Sequence, residues 1–198
     1  MARNVAILVF DEVEVLDFCG PFEVFGVTGV HAQGERPFHV YTVAEKAGPV
    51  FARNGLSVNP GFTFANCPPP DILLVPGGRG TRREIHNEAL VNWVKAQAGR
   101  VELLLSVCTG ALILAQAGLL DGLSATTHFL AFDELKALAP NTTLCPDERY
   151  VDNGQIVLSA GVSAGIDMAL YVVGRLLGEE RANETARYIQ YDYWSRTR

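Results

Sequence analysis

Short apolar runs alternate with amphipathic stretches along the whole chain. Runs such as Val5-Ala6-Ile7-Leu8-Val9-Phe10 read as strands buried on both faces, and the stretches between them carry the apolar spacing of helices. The pattern predicts core strands over residues 5–10, 38–43, 71–75, 101–107 and 155–159. It predicts helices beginning near Pro21, covering 82–98, following Cys108, and covering 129–138, 164–177 and 179–191. Asn54-Gly55 joins 50–53 to 56–59 as a hairpin, Asp152-Asn153-Gly154 marks a second, and Pro68-Pro69-Pro70 leads stiffly into the 71–75 strand. This alternation predicts an α/β fold with a mostly parallel central sheet, and 198 residues suit one domain spanning 1–198.

Charge removes one class of partner. A net charge of −6 offers no basic face to phosphates, and no helix-turn-helix segment is found, so nucleic acid is not an expected partner. Cys19, Cys67, Cys108 and Cys145 are far apart and form no Cys-x-x-Cys pair, which argues for a reduced, cytoplasmic protein without a disulfide framework or zinc site. No His or acidic pair stands at metal-ligand spacing. The first apolar run is too short for a signal peptide, and no segment is long enough to span a bilayer, so no membrane association is expected.

Candidate chemistry gathers at the predicted strand ends, where open α/β sheets bind ligands. Ser106-Val107-Cys108-Thr109-Gly110 lies between the strand ending at 107 and a helix, with small residues two positions either side of the cysteine. This spacing predicts a strand-Cys-helix nucleophile elbow. A helix N-terminus there would favour the thiolate; the competing reading is a small buried cysteine. The glycines of Pro76-Gly77-Gly78-Arg79-Gly80 allow backbone N–H groups near Gly78, together with that of Thr109, to meet a developing negative charge, although such a segment also serves as a plain turn. Asp17 sits among apolar residues before Pro21 and reads equally as a general acid/base of raised pKa or as a helix cap. Asp11, Glu12 and Glu14 read as a solvated loop, and His31, His39 and His86 as surface or loop residues. His128 is a possible proton shuttle or a structural histidine.

These segments, with Leu16-Asp17-Phe18-Cys19-Gly20-Pro21, Ala125-Thr126-Thr127-His128 and Gly165-Ile166-Asp167, resemble the ThiJ/PfpI superfamily of glutamine-amidotransferase-like domains, and within it most closely isocyanide hydratase and its relatives. The resemblance implies a flavodoxin-like three-layer sandwich and a homodimer with the site near the subunit interface. It makes Cys108 the nucleophile and Asp17 the acid/base, with an anion pocket at Gly78 and Thr109, support from residues 161–167, a small-molecule substrate and no cofactor. Two features depart from relatives. Thr109 stands where protease members carry a His after the cysteine, and the chain reaches Arg198 soon after Trp194, short of the longer tail associated with isocyanide hydratase.

The leading expectation is a cysteine-dependent hydratase that converts isocyanides to N-substituted formamides. A second is glyoxalase-type activity on α-oxoaldehydes through Cys108 and His128. A third is a redox-sensing or ligand-binding domain, of the kind found fused to AraC-type DNA-binding modules, here without a second module.

Overall fold

The computed structural model describes residues 2–30 and 36–193, so His31 and Trp194 lie outside the described residues. β1 (Arg3–Leu8) is followed by α1 (Val15–Val27) and β2 (Phe38–Ala44). β3 (Val50–Phe51) and β4 (Ser57–Val58) form a hairpin whose turn holds Asn54 and Gly55 at positive φ, and β5 (Phe62–Thr63) pairs with β2. Next come β6 (Ile72–Val75), α2 (Thr81–Glu84), α3 (Glu88–Ala98), β7 (Leu103–Val107) and α4 (Gly110–Gln116). The remaining elements are β8 (Ser124–Ala125), α5 (Phe132–Leu138), β9 (Thr143–Leu144), β10 (Tyr150–Asp152), β11 (Ile156–Ser159), α6 (Ala164–Leu177) and α7 (Glu179–Tyr188).

Among the described residues seven strands form the main sheet in the order β10-β11-β7-β6-β1-β2-β5, parallel throughout except for β10. The β10–β11 pair is the second expected hairpin. Helices α1, α6 and α7 pack together on one side, and α2, α3, α4 and α5 form the other set, giving three layers. β6 and β7 are buried at every position because helices cover both faces; each such leucine contributes about 1.5–3 kcal/mol. The chain leaves β1 toward β2 on one side and β6 toward β7 on the other, which opens a crevice at the carboxyl ends of β1 and β6. No helix among the described residues is long and apolar enough to cross a membrane.

Several elements depart from the pattern-based expectation for identifiable reasons. α1 begins at Val15, and Pro21 lies inside it, although proline supplies no N–H to the Asp17 carbonyl. Pro21 is buried, and Gly165 lets α6 come close to it: a Cβ at Gly165 would lie 3.6 Å from Pro21 Cγ. The expected 82–98 helix is two helices, because Asn87 leaves helical geometry and its side chain caps α3 by accepting the Leu90 N–H. α5 starts only at Phe132, after a turn in which the Ala131 N–H donates to His128 O. α7 ends at Tyr188, before Gln190 at φ 52°. The 11–14 segment is a loop with Asp11 and Glu12 exposed, as expected, and it is tied to its neighbours by backbone bonds. The Glu12 N–H donates to Phe51 O (2.7 Å), Asp11 Oδ1 accepts the Phe51 N–H (2.8 Å), and Val13 bridges to Gly78.

Gly110 marks the tightest approach in the sheet-to-helix turn after β7: a Cβ there would lie 2.1 Å from Val75 O. The obstructing atom is backbone and cannot rotate away. Gly110→Ala is expected to destabilise the fold by about 1–3 kcal/mol, measured by urea unfolding; an unchanged midpoint would mean that the two chain segments are not held this close.

Candidate active site

Cys108 sits at the carboxyl end of β7 with φ 57°, the left-handed conformation of an elbow apex. Its N–H is shared between Ser159 O (3.2 Å) and Ala160 O (3.1 Å), and its carbonyl accepts the Thr127 hydroxyl at 2.8 Å. These bonds tie the apex to β11 and to the segment after β8. The residue is only 5% exposed, so a reagent that reaches the sulfur must be slender.

Asp17, fully buried in the first turn of α1, is brought to the same place by Gly77. The Gly77 N–H donates to Asp17 Oδ2 at 3.0 Å. A Cβ at position 77 would lie 2.5 Å from Thr109 N and 2.9 Å from Asp17 Oδ2, so the carboxyl and the elbow close around the space that a side chain would occupy. Asp17 Oδ1 has no backbone donor, and the side chain that hydrogen-bonds with the carboxyl is the Cys108 thiol. The Gly78 N–H, an expected anion donor, is engaged by Thr109 Oγ1 at 3.0 Å. The backbone N–H groups directed at the Cys108 sulfur are those of Thr109 and Val162.

Val162 was not singled out from sequence. It has φ 49°, unusual for a β-branched residue, beside Gly161, to which a sequence reading would assign any positive φ. His128 packs on that loop, since a Cβ at Gly161 would lie 2.7 Å from its ring. Its Nδ1 accepts the Leu130 N–H (3.3 Å), which leaves the proton of a neutral ring on Nε2. Behind the loop, Asp167 is fully buried, paired with Arg149 and hydrogen-bonded by the Tyr191 hydroxyl, which anchors the start of α6. All four cysteines are free thiols, and no group of three His, Cys, Asp or Glu residues is arranged to hold a metal ion among the described residues.

Comparison with known proteins places this geometry. The DJ-1/PfpI family model matches residues 3–175. The chain belongs to the DJ-1/PfpI family. It is 33% identical over 191 residues to isonitrile hydratase of Pseudomonas putida, covering 96% of this chain and 79% of that protein. It is 26% identical to the HTH-type transcriptional regulator GbdR of Pseudomonas aeruginosa, where the match covers 96% of this chain and only 51% of the regulator. Among solved structures, a ThiJ/PfpI family protein from Pseudomonas syringae superposes with a TM-score of 0.87 at 30% identity, over 99% of this chain and 78% of the other.

In this DJ-1/PfpI chain, electrostatics reverses the expectation of a resting thiolate. Burial foremost, then the nearby Asp17 carboxylate, pushes the Cys108 thiol up to about 12, against the N–H groups of Thr109 and Val162, which favour the anion. Burial likewise raises Asp17 to about 7, opposed by the Gly77 N–H and reinforced by Glu14. Asp17 is therefore the group that titrates near neutrality, and its ionised form is a base placed to receive the thiol proton.

The unfolded chain releases the Asp17 proton near pH ~4, whereas the folded protein holds it to about 7. The resulting stability is present in full below the unfolded value and is lost as pH rises through the folded one. Relative to Asp17→Asn, the wild type should lose up to about 1.4 kcal/mol per pH unit across this window and run parallel above about pH 8. Urea unfolding at a series of pH values measures this, and parallel curves throughout would mean that Asp17 titrates as an ordinary carboxylate.

Proposed function

We propose that the protein hydrates isocyanides to N-substituted formamides through Cys108 and Asp17. The observation that carries this reading is the Cys108–Asp17 pair itself: a nearly enclosed thiol hydrogen-bonded with a buried carboxyl whose other contact is the Gly77 N–H. An isocyanide is unusual in receiving the nucleophile and the proton on the same carbon. Its linear tip also suits a cysteine that is only 5% exposed. The likeness to the Pseudomonas putida isonitrile hydratase supports the assignment.

In the first step Sγ bonds to the terminal carbon while the thiol proton passes by way of Asp17 Oδ1 to that carbon, giving a thioimidate. Water then adds to the same carbon, and Asp17 carries one of its protons to the nitrogen. As the C–S bond breaks and the formamide leaves, the remaining hydroxyl proton passes by way of Asp17 to the sulfur. Each atom is accounted for by isocyanide and water, so no cofactor is needed. The Thr109 and Val162 N–H groups stabilise the sulfur as negative charge develops on it. Exposed Leu16 and Phe22 on α1, with Phe51 and Leu56 on the hairpin, suit a homodimer interface beside the site.

A second reading is favoured by His128, whose ring lies against Gly161 next to the N–H donor of Val162. There Cys108 would add to an α-oxoaldehyde and His128 Nε2 would shuttle the proton. Turnover of methylglyoxal, lost in His128→Ala, would select it.

Formamide formation from one aliphatic and one aromatic isocyanide tests the main proposal. Cys108→Ala should abolish turnover, and Asp17→Asn should lower kcat by about 100-fold or more. Wild-type rates in Cys108→Ala would overturn it. With no turnover of either substrate class, reversible peroxide oxidation of Cys108 would instead support a sensing domain.

A further inference from the structure

Glu14 stands where three parts of the site meet. It immediately precedes α1, its N–H donates to Gly77 O (2.9 Å), and its carbonyl accepts the Asp17 N–H (3.2 Å). Its side chain, 22% exposed, pairs with Arg53 Nη1 at 3.2 Å. Arg53 lies in the turn of the β3–β4 hairpin, where its own N–H donates to Val13 O at 2.9 Å. The hairpin's further bonds to Asp11 and Glu12 hold the arginine over the start of α1.

We propose that Arg53 is a positioning residue for the acid/base group: by neutralising Glu14 at the start of α1, it limits the negative field at Asp17 and so sets the pH at which the Cys108–Asp17 pair gives up its first proton. The inference rests on the reading of Asp17 as the proton partner of Cys108.

The surroundings of Asp17 make this a selective device. From its own end of α1, the charge acting on the carboxyl is Glu14; from the elbow, the titratable group is the Cys108 thiol. The loop after β6 contributes only the neutral Gly77 N–H. α6 meets α1 through Ile166 against Gly20, and its Asp167 is already paired with Arg149. Because Asp17 is fully buried, solvent screens a neighbouring charge less than it does at the surface. Arg53 thus offsets the field of Glu14 at Asp17, and the hairpin tunes the acid/base group without touching substrate.

The test is a pH titration of the Asp17 side-chain carboxyl carbon by NMR in carbon-13-labelled protein, the signal being assigned by its loss in Asp17→Asn. Arg53→Gln should raise the midpoint by about half a pH unit, and Glu14→Gln should lower it by a similar amount. In the double variant Glu14→Gln/Arg53→Gln, where both charges are gone, the opposite shifts should offset and leave the midpoint near the wild-type value, and Arg53→Lys should keep that value. Unchanged midpoints in both single variants, or shifts of the same sign in the two, would overturn the proposal. This readout needs no substrate, so shifted midpoints in a protein that fails to hydrate isocyanides would reject the proposed activity and leave the tuning pair standing.

Discussion

The Gly77 N–H donates to Asp17 Oδ2 over 3.0 Å, and it does so because no side chain stands at position 77. That contact joins the end of β6 to the first turn of α1 and sets the carboxyl beside the elbow. It also divides the labour between the carboxyl oxygens: Oδ2 is fixed by the backbone, and the side chain that hydrogen-bonds with the carboxyl is the Cys108 thiol. On the proposed mechanism that carboxyl receives and returns the thiol proton. Around it, Gly110 admits the Val75 carbonyl and Gly165 admits the Val107 side chain, so the elbow is closed in by chain segments that tolerate no added methyl group.

Two effects compete at the sulfur, and burial wins. Backbone N–H groups from Thr109 and Val162 stabilise a thiolate, but a site 5% exposed withholds solvation from any anion, and the Asp17 carboxylate adds repulsion. The protonated thiol is therefore the resting form, and the carboxyl beside it is the group that titrates near neutrality. Such a pair is poorly reactive toward bulky electrophiles and well suited to a reagent that accepts both the sulfur and the proton at one atom.

The parts of this arrangement governed by local rules were legible in the sequence. Ser106 and Gly110 around Cys108 announced the elbow, the apolar runs marked the core strands, and Asn54-Gly55 identified a hairpin whose turn residues both adopt positive φ. The start of α1 was not legible, because Glu14 makes no side-chain cap and is instead fixed by a backbone bond to Gly77, far away in sequence. The break at Asn87 carried a readable capping residue, but apolar spacing continuing across it suggested a single helix. Val162 was expected only as part of the 161–167 support, and its role as an N–H donor to the sulfur escaped because sequence favours the adjacent glycine for a positive φ. The thiolate expectation failed for a related reason: the N–H donors near a helix start are a local feature, and enclosure by four chain segments is not.

The central claim is that Cys108 rests as a thiol while Asp17 changes ionisation near neutrality. Infrared difference spectra of wild type against Cys108→Ala and against Asp17→Asn, recorded from about pH 5 to about pH 9, observe both groups directly. The account predicts that the Cys108 S–H stretch persists across the range while the Asp17 carboxylic acid stretch disappears around 7. Loss of the S–H stretch in that range with the acid stretch retained would contradict it, making Cys108 the resting anion and Asp17 the proton holder.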